Sequence, residues 1–126
     1  MPDVKTRVAE NICLKRIYEP PSQDDGYRVL STRYWPRGVP KSAVDEYTTK
    51  TAPSRALLHE FKHEGLSWED YVPRYFDEMS RPEAMTEIVR FAKLAESRTI
   101  TLICICEDEQ RCHRSLLRQL IIEAAG

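Results

Sequence analysis

The longest apolar pattern in the chain is Arg98–Cys106 (RTITLICIC), nearly unbroken and rich in β-branched residues. A run of that kind predicts a central strand covered on both faces. Two weaker stretches precede it. Glu10–Ile17 carries Ile12, Leu14 and Ile17 and reads as a first strand; Tyr27–Tyr34 reads as a second, ended by Pro36 and Gly38. Between them, Glu19–Gly26 holds two prolines and an Asp25-Gly26 pair suited to positive φ, which predicts a loop. Residues 1–10 show weak periodicity and are expected to fray.

Helical spacing takes over in the second half. Residues 39–53 read as a short helical turn from Pro40 and an extended piece around Tyr47. Ser54 is the expected N-cap of a helix presenting Leu57, Leu58 and Phe61. Ser67-Trp-Glu-Asp70 resembles a capping box, and Trp68, Tyr71, Val72, Tyr75 and Met79 follow at helical spacing. Pro73 is expected to kink that helix or delay its start. Ser80-Arg-Pro-Glu83 reads as the cap of a helix with Ile88, Phe91, Ala92 and Ala95 on one stripe. The last helix is expected over Cys112–Ala124. Strands interspersed with long helices imply an α/β fold. The expectation is one compact domain over 1–126, with a small, mostly parallel sheet flanked by helices in a three-layer, Rossmann-like arrangement.

Composition narrows the function classes. The 19 basic and 20 acidic side chains leave a formal charge of -1. That balance offers no clear nucleic-acid patch, though it permits a local basic pocket. No apolar run has the length to cross a bilayer, and Met1-Pro-Asp-Val-Lys5 lacks the apolar core of a signal peptide. A cytoplasmic location with reduced cysteines is therefore expected.

Three of the four cysteines (Cys104, Cys106, Cys112) fall within nine residues, where a buried strand hands over to the last helix. In α/β folds ligands gather beyond the carboxyl ends of the strands. Two segments reach that edge: Thr32–Gly38 and Cys106–Arg114. On an idealised helix His113, Leu117 and Leu120 share a stripe, so His113 should face the sheet. Arg114 aligns with Arg118 and Ile121. Cys112 near the helix N-terminus would find its thiolate favoured by the dipole.

Cys106, Glu107, Cys112 and His113 thus supply candidate nucleophiles and proton carriers, while Arg33, Arg37 and Arg114 supply candidate anion clamps. An anion cradle closed by Arg111 is disfavoured, because the loop carries Glu107, Asp108 and Glu109 and no glycine. Cys104, Cys106, Cys112 and His113 would complete a zinc set, but the spacing matches no standard knuckle, so no metal ligand is assigned. Cys13 and Cys104 read as small buried hydrophobes. Trp35, Trp68 and Tyr75 read as core aromatics, and His59 with His63 as surface or packing residues. Arg28, Arg33 and Arg37 either reach an anion or pair with Glu19, Asp24, Asp25 or Glu107; both readings stay open.

Lys15-Arg-Ile-Tyr-Glu-Pro-Pro-Ser22, Asp24-Asp-Gly-Tyr-Arg-Val-Leu30, Arg33-Tyr-Trp-Pro-Arg-Gly38 and Ala52-Pro-Ser54 resemble the domain-of-unknown-function 488 (DUF488) family, especially its YeaO-like branch. His63, Trp68 and Tyr75 fall in pattern too. The resemblance implies a compact α/β domain and leaves the activity open. Thr32 stands where the branch usually has an acidic residue. The ending Cys106-Glu107…Cys112-His113-Arg114 is similar to a Cys-Glu…Cys-His-Arg pattern of the wider family, not to the Asn-His-Ala common in the branch. By resemblance Arg33, Pro36, Cys106, Glu107, Cys112, His113 and Arg114 carry over.

Three functions stay open on these grounds. The first is an enzyme acting on an anionic, phosphorylated or nucleotide-type substrate. The second is a non-catalytic module binding a small anion or a protein. The third is a metal-binding or thiol redox-sensing protein. The sequence names no cofactor, and a homodimer is compatible with it.

Overall fold

The structure, a computed structural model, describes residues 3–105 and 111–126. Four strands form one sheet in the order β1 (Ile12–Arg16), β4 (Ile100–Cys104), β2 (Tyr27–Ser31), β3 (Glu46–Thr48). Every neighbouring pair is parallel. The fold class is α/β, as the interspersed strands and helices require. The extended piece expected around Tyr47 is β3, an edge strand. All carboxyl ends therefore lie on one rim of the sheet.

β4 is central, and each of its five residues is buried, in keeping with its apolar run. Strand alternation divides these residues between two faces. Ile100 and Leu102 join Ile12 and Val29 in the main core, which is completed by the helices. These are α1 (Val4–Asn11), α2 (Arg55–His63), α3 (Trp68–Met79), α4 (Pro82–Ala95) and α5 (His113–Ala124). Ile103 lies on the opposite face with Leu30 and Ile17, where Val39, Val44 and Ile105 from connecting segments cover it. Helices thus cover one face, and loops with two 3-10 turns cover the other.

Several local signals act as their chemistry predicts. Ser54 and Ser67 cap α2 and α3 by accepting the backbone N–H of Leu57 and Asp70. Gly26 has φ +61°, and a Cβ there would lie 2.3 Å from the Thr99 carbonyl oxygen, so only glycine fits. Three expectations are corrected. The N-terminal segment forms α1, with Asp3 as its cap and Val8 wholly buried. α3 runs without interruption through Pro73, which is exposed. Ser80 does not cap α4: its hydroxyl donates to the Asp77 carbonyl, and α4 begins at Pro82 behind Arg81. Among the described residues no helix is long and apolar enough to cross a membrane.

Candidate functional site

The helix face of the sheet carries a thiol-imidazole cluster at its carboxyl rim. Cys104 ends β4 in phase with Ile100 and Leu102, so its side chain turns toward the helical layer. Cys112 is the N-cap residue of α5 and His113 its first residue. Packing of the Leu117 and Ile121 stripe sets α5 against the core and delivers both side chains to the strand end. The two sulfurs lie 2.8 Å apart, and both are thiols. Cys112 Sγ lies 3.8 Å from His113 Nδ1.

The imidazole is oriented by β2. His113 Nε2 is 2.6 Å from the Ser31 carbonyl oxygen. A carbonyl can only accept, so Nε2 carries the proton and donates it there. Nδ1 is then left facing Cys112. Ser31 Oγ is held 2.9 Å from Thr51 Oγ1, and the Tyr75 hydroxyl donates to the Thr51 carbonyl at 2.8 Å. Burial, with Tyr71 and Cys112 as neighbours, pushes the Tyr75 phenol well above its ordinary range. It therefore serves as a neutral donor that supports the 49–53 segment behind the cluster.

A small cavity of about 40 Å³ adjoins these residues, lined by Thr32, Arg33, Pro53, Lys62, Cys104 and His113 among others. At ~10–15 Å³ of the same measure per water, it holds roughly three water-sized molecules. A larger cleft of about 230 Å³ runs past Arg33, Lys50, Glu78 and Arg81 and, among the described residues, touches no cysteine.

The other expected site residues fall in different places. Cys106 and Glu107 lie outside the described residues. Arg33 donates to the carbonyls of Pro53, Thr49 and Ala52, which fastens the loop after β3. Arg114 is buried and donates to the Lys15 carbonyl, while Arg118 donates to those of Ile12 and Ala9, so both tie α5 to the β1 side. Arg37 is exposed. Arg28 pairs with Asp25 and donates to the Ala43 carbonyl. His59 and His63 are exposed, with rings 5.1 Å apart. Trp35 is corrected from core to surface, with its indole N–H donating to the Val39 carbonyl.

Of the two cysteines expected to be buried, Cys104 is buried and Cys13 is corrected to the surface. Cys13 is exposed, because β1 is an edge strand. Cys104 is buried but is no passive core residue, since it meets Cys112. The signal for Cys104 was its phase: it shares the face of Ile100 and Leu102, on which the next helix packs. Ser31 and Thr51 gave no signal in the sequence.

Comparison with known proteins bears on this arrangement. The model of the family described as the active DUF488-N3 subclade (DUF488-N3a) matches residues 12–125. The chain belongs to the DUF488 family. The uncharacterized protein YeaO of Escherichia coli (strain K12) is 34% identical over 109 residues, covering 85% of this chain and 93% of that protein. The uncharacterized protein Rv3073c of Mycobacterium tuberculosis (strain ATCC 25618 / H37Rv) is 31% identical over 108 residues, or 84% and 89% of the two chains. No solved structure matches the chain. Among the described residues the match spans β1 to β4 and α2 to α5 of this DUF488 domain, and it includes Cys104, Cys112 and His113.

Proposed function

We propose that this DUF488 domain works as a thiol redox centre, in which Cys104 and Cys112 pass between a dithiol and a disulfide. The observation that carries the reading is the 2.8 Å separation of their sulfurs. A disulfide needs about 2.05 Å, so a small side-chain adjustment brings the pair to bonding distance. Cys112 gives its proton to His113 Nδ1, and the N-terminus of α5 favours the resulting negative charge.

The oxidant that suits the cavity is a small peroxide. The Cys104 thiolate, formed as its proton passes through Cys112 to His113, attacks the peroxide oxygen. The O–O bond breaks, Cys104 becomes a sulfenic acid, and the leaving oxygen takes the proton from His113. Cys112 then loses its proton to His113 and attacks the Cys104 sulfur, and water departs with that proton. Two thiols and one hydrogen peroxide thus give one disulfide and two waters. A reducing compartment such as the cytoplasm suits a site whose resting form is the dithiol.

A phosphorylated or nucleotide-type substrate has less support. The cavity beside the thiols is far smaller than the ~300–1,000 Å³ of usual ligand sites, and Arg33 commits Nε and Nη2 to three carbonyls.

The test is to oxidise the reduced protein with a slight excess of hydrogen peroxide and map the peptides without reduction. A Cys104–Cys112 link with loss of two hydrogens is expected. A Cys106–Cys112 link, or two thiols that still alkylate fully, would falsify the assignment.

A further inference from the structure

The geometry points to a second chemistry for the same atoms: Cys104, Cys112 and His113 form a binding site for a thiophilic divalent cation of the zinc class. One ligand atom from each of the three lies within 4.8 Å of the others, and all three residues are buried. A tetrahedral zinc ion with Zn–S of ~2.3 Å and Zn–N of ~2.0–2.1 Å sets its two sulfurs roughly 3.7 Å apart and sulfur from nitrogen by roughly 3.6 Å. The observed sulfur-nitrogen distance is 3.8 Å, already close to that edge. The sulfur pair, at 2.8 Å, stands between the disulfide and the tetrahedral spacing. Opening it by about 1 Å brings the sulfur pair to the tetrahedral spacing.

A second observation points the same way. A ligating histidine characteristically gives its other N–H to a carbonyl or carboxylate, which fixes the tautomer and aims the free nitrogen at the metal. His113 has that arrangement, with Nε2 on the Ser31 carbonyl and Nδ1 toward the Cys112 sulfur. Charge is consistent as well. Two thiolates, a neutral imidazole and a divalent cation sum to zero, which lowers the desolvation cost of a buried centre. Among the described residues three ligands converge, and a small cavity adjoins two of them, Cys104 and His113. Metal binding goes beyond the redox reading, for it needs no oxidant and would shield the thiols from one.

Cobalt(II) is the probe. The fully reduced protein is titrated with Co²⁺ without oxygen, and the near-ultraviolet thiolate-to-cobalt band and visible tetrahedral bands are followed. Saturation at one equivalent is expected, with two protons released per metal and loss of the cobalt bands on adding Zn²⁺. Cys104→Ser and Cys112→Ser should each weaken Co²⁺ binding at least ten-fold, and His113→Gln about ten-fold, with circular dichroism confirming that each is folded. Cys13→Ser should bind like the parent. Absence of the charge-transfer band in the parent protein overturns the site and depends on no variant. A band that survives both cysteine replacements overturns it too. A protein that forms the Cys104–Cys112 disulfide but binds no cobalt loses the metal site alone. One that binds cobalt and forms no disulfide loses the redox reading alone.

Discussion

Two buried polar clusters lie on opposite faces of the same sheet, and they are built differently. On the loop-covered face, Lys15 of β1 and Arg28 of β2 converge on the carboxylate of Asp25, whose backbone carbonyl accepts from Thr101 of β4. Asp25 also accepts the Ser22 N–H, which closes a reciprocal capping box with Ser22. Its charge is met by two cations and its lone pairs by donors. On the helix face the thiol cluster holds no permanent charge, and its members touch through proton-sharing contacts. The first cluster has little reactivity and strong mutual dependence. On the proposed reading, the second has groups that change state at modest cost to the fold. Structural burial fixes charges, while chemical burial keeps neutral groups that can ionise, oxidise or bind.

That contrast is broken most severely at Asp25. Asp25→Ala would leave the half-buried Lys15 and the buried Arg28 without their carboxylate and would remove the capping box. Breaking a buried pair costs about 3–5 kcal/mol. The lower end is expected because the Lys15 side chain keeps 15% of its exposure. Urea unfolding should register a loss of about 3 kcal/mol. Peroxide should still form the disulfide in the folded variant, because no atom of the thiol cluster depends on Asp25. A loss below about 0.5 kcal/mol, the range of ordinary surface substitutions, would show that the ion cluster is not structural.

Acid probes the same cluster more gently. Burial alone would raise the Asp25 carboxyl, but the Ser22 N–H and the Lys15 and Arg28 side chains outweigh it and hold the carboxyl below its ordinary 3.8. A group lowered in the folded state contributes stability above its unfolded value and loses it as pH falls through the folded value. Glu46, which Arg90 and Tyr27 hold below its usual range against the effect of burial, behaves alike. The stability difference between the parent and Asp25→Asn should therefore be full at pH 6 and shrink steadily below about pH 4. A difference constant down to pH 2 would remove the charge from the explanation.

On the other face the order of effects reverses. Cys104→Ala deletes one buried sulfur, an atom of roughly methylene size, and should cost about 1 kcal/mol. It should abolish the disulfide altogether. A denaturation midpoint compared with a peptide map separates the small loss from the total one. If Cys104→Ala unfolds the protein instead, the thiol cluster is as structural as the charged one.

How much of this was legible in the sequence follows from what each feature depends on. β4 was legible because five consecutive buried positions leave a continuous apolar run. Ser54, Ser67 and Gly26 were legible because their jobs are local, within three residues or one backbone angle. α1 was not, since Val4–Asn11 has little periodicity; Val8 packs wholly into the core and Asp3 caps the turn. The site was legible in part. Cys112 and His113 announced themselves as the start of a helix beyond a strand, and the helical stripe turned His113 inward as expected. Ser31 and Thr51 are brought in only by the order β4-β2-β3, which no local pattern encodes. The arginines carried an ambiguous signal, because a guanidinium near a strand end binds a backbone carbonyl as readily as an anion; Arg33 and Arg114 hold carbonyls.

Cys13 and Cys104 make the sharpest small test of that point. Both are flanked by apolar residues in strands, at Ile12-Cys13-Leu14 and Ile103-Cys104-Ile105, and both read as buried. Their fates diverge because β1 has one neighbour and β4 has two, and because Cys104 shares its face with α5. Cys13 pairs in register with Thr101, yet it stays exposed at the edge while Thr101 is covered. Cys13→Ser should therefore change unfolding free energy by no more than about 0.5 kcal/mol and leave the Cys104–Cys112 link intact in the peptide map. A larger loss would mean that the edge position is covered in solution, as in an assembly of chains along β1. Strand order, rather than the residues beside each cysteine, would then be insufficient to explain which thiol is buried.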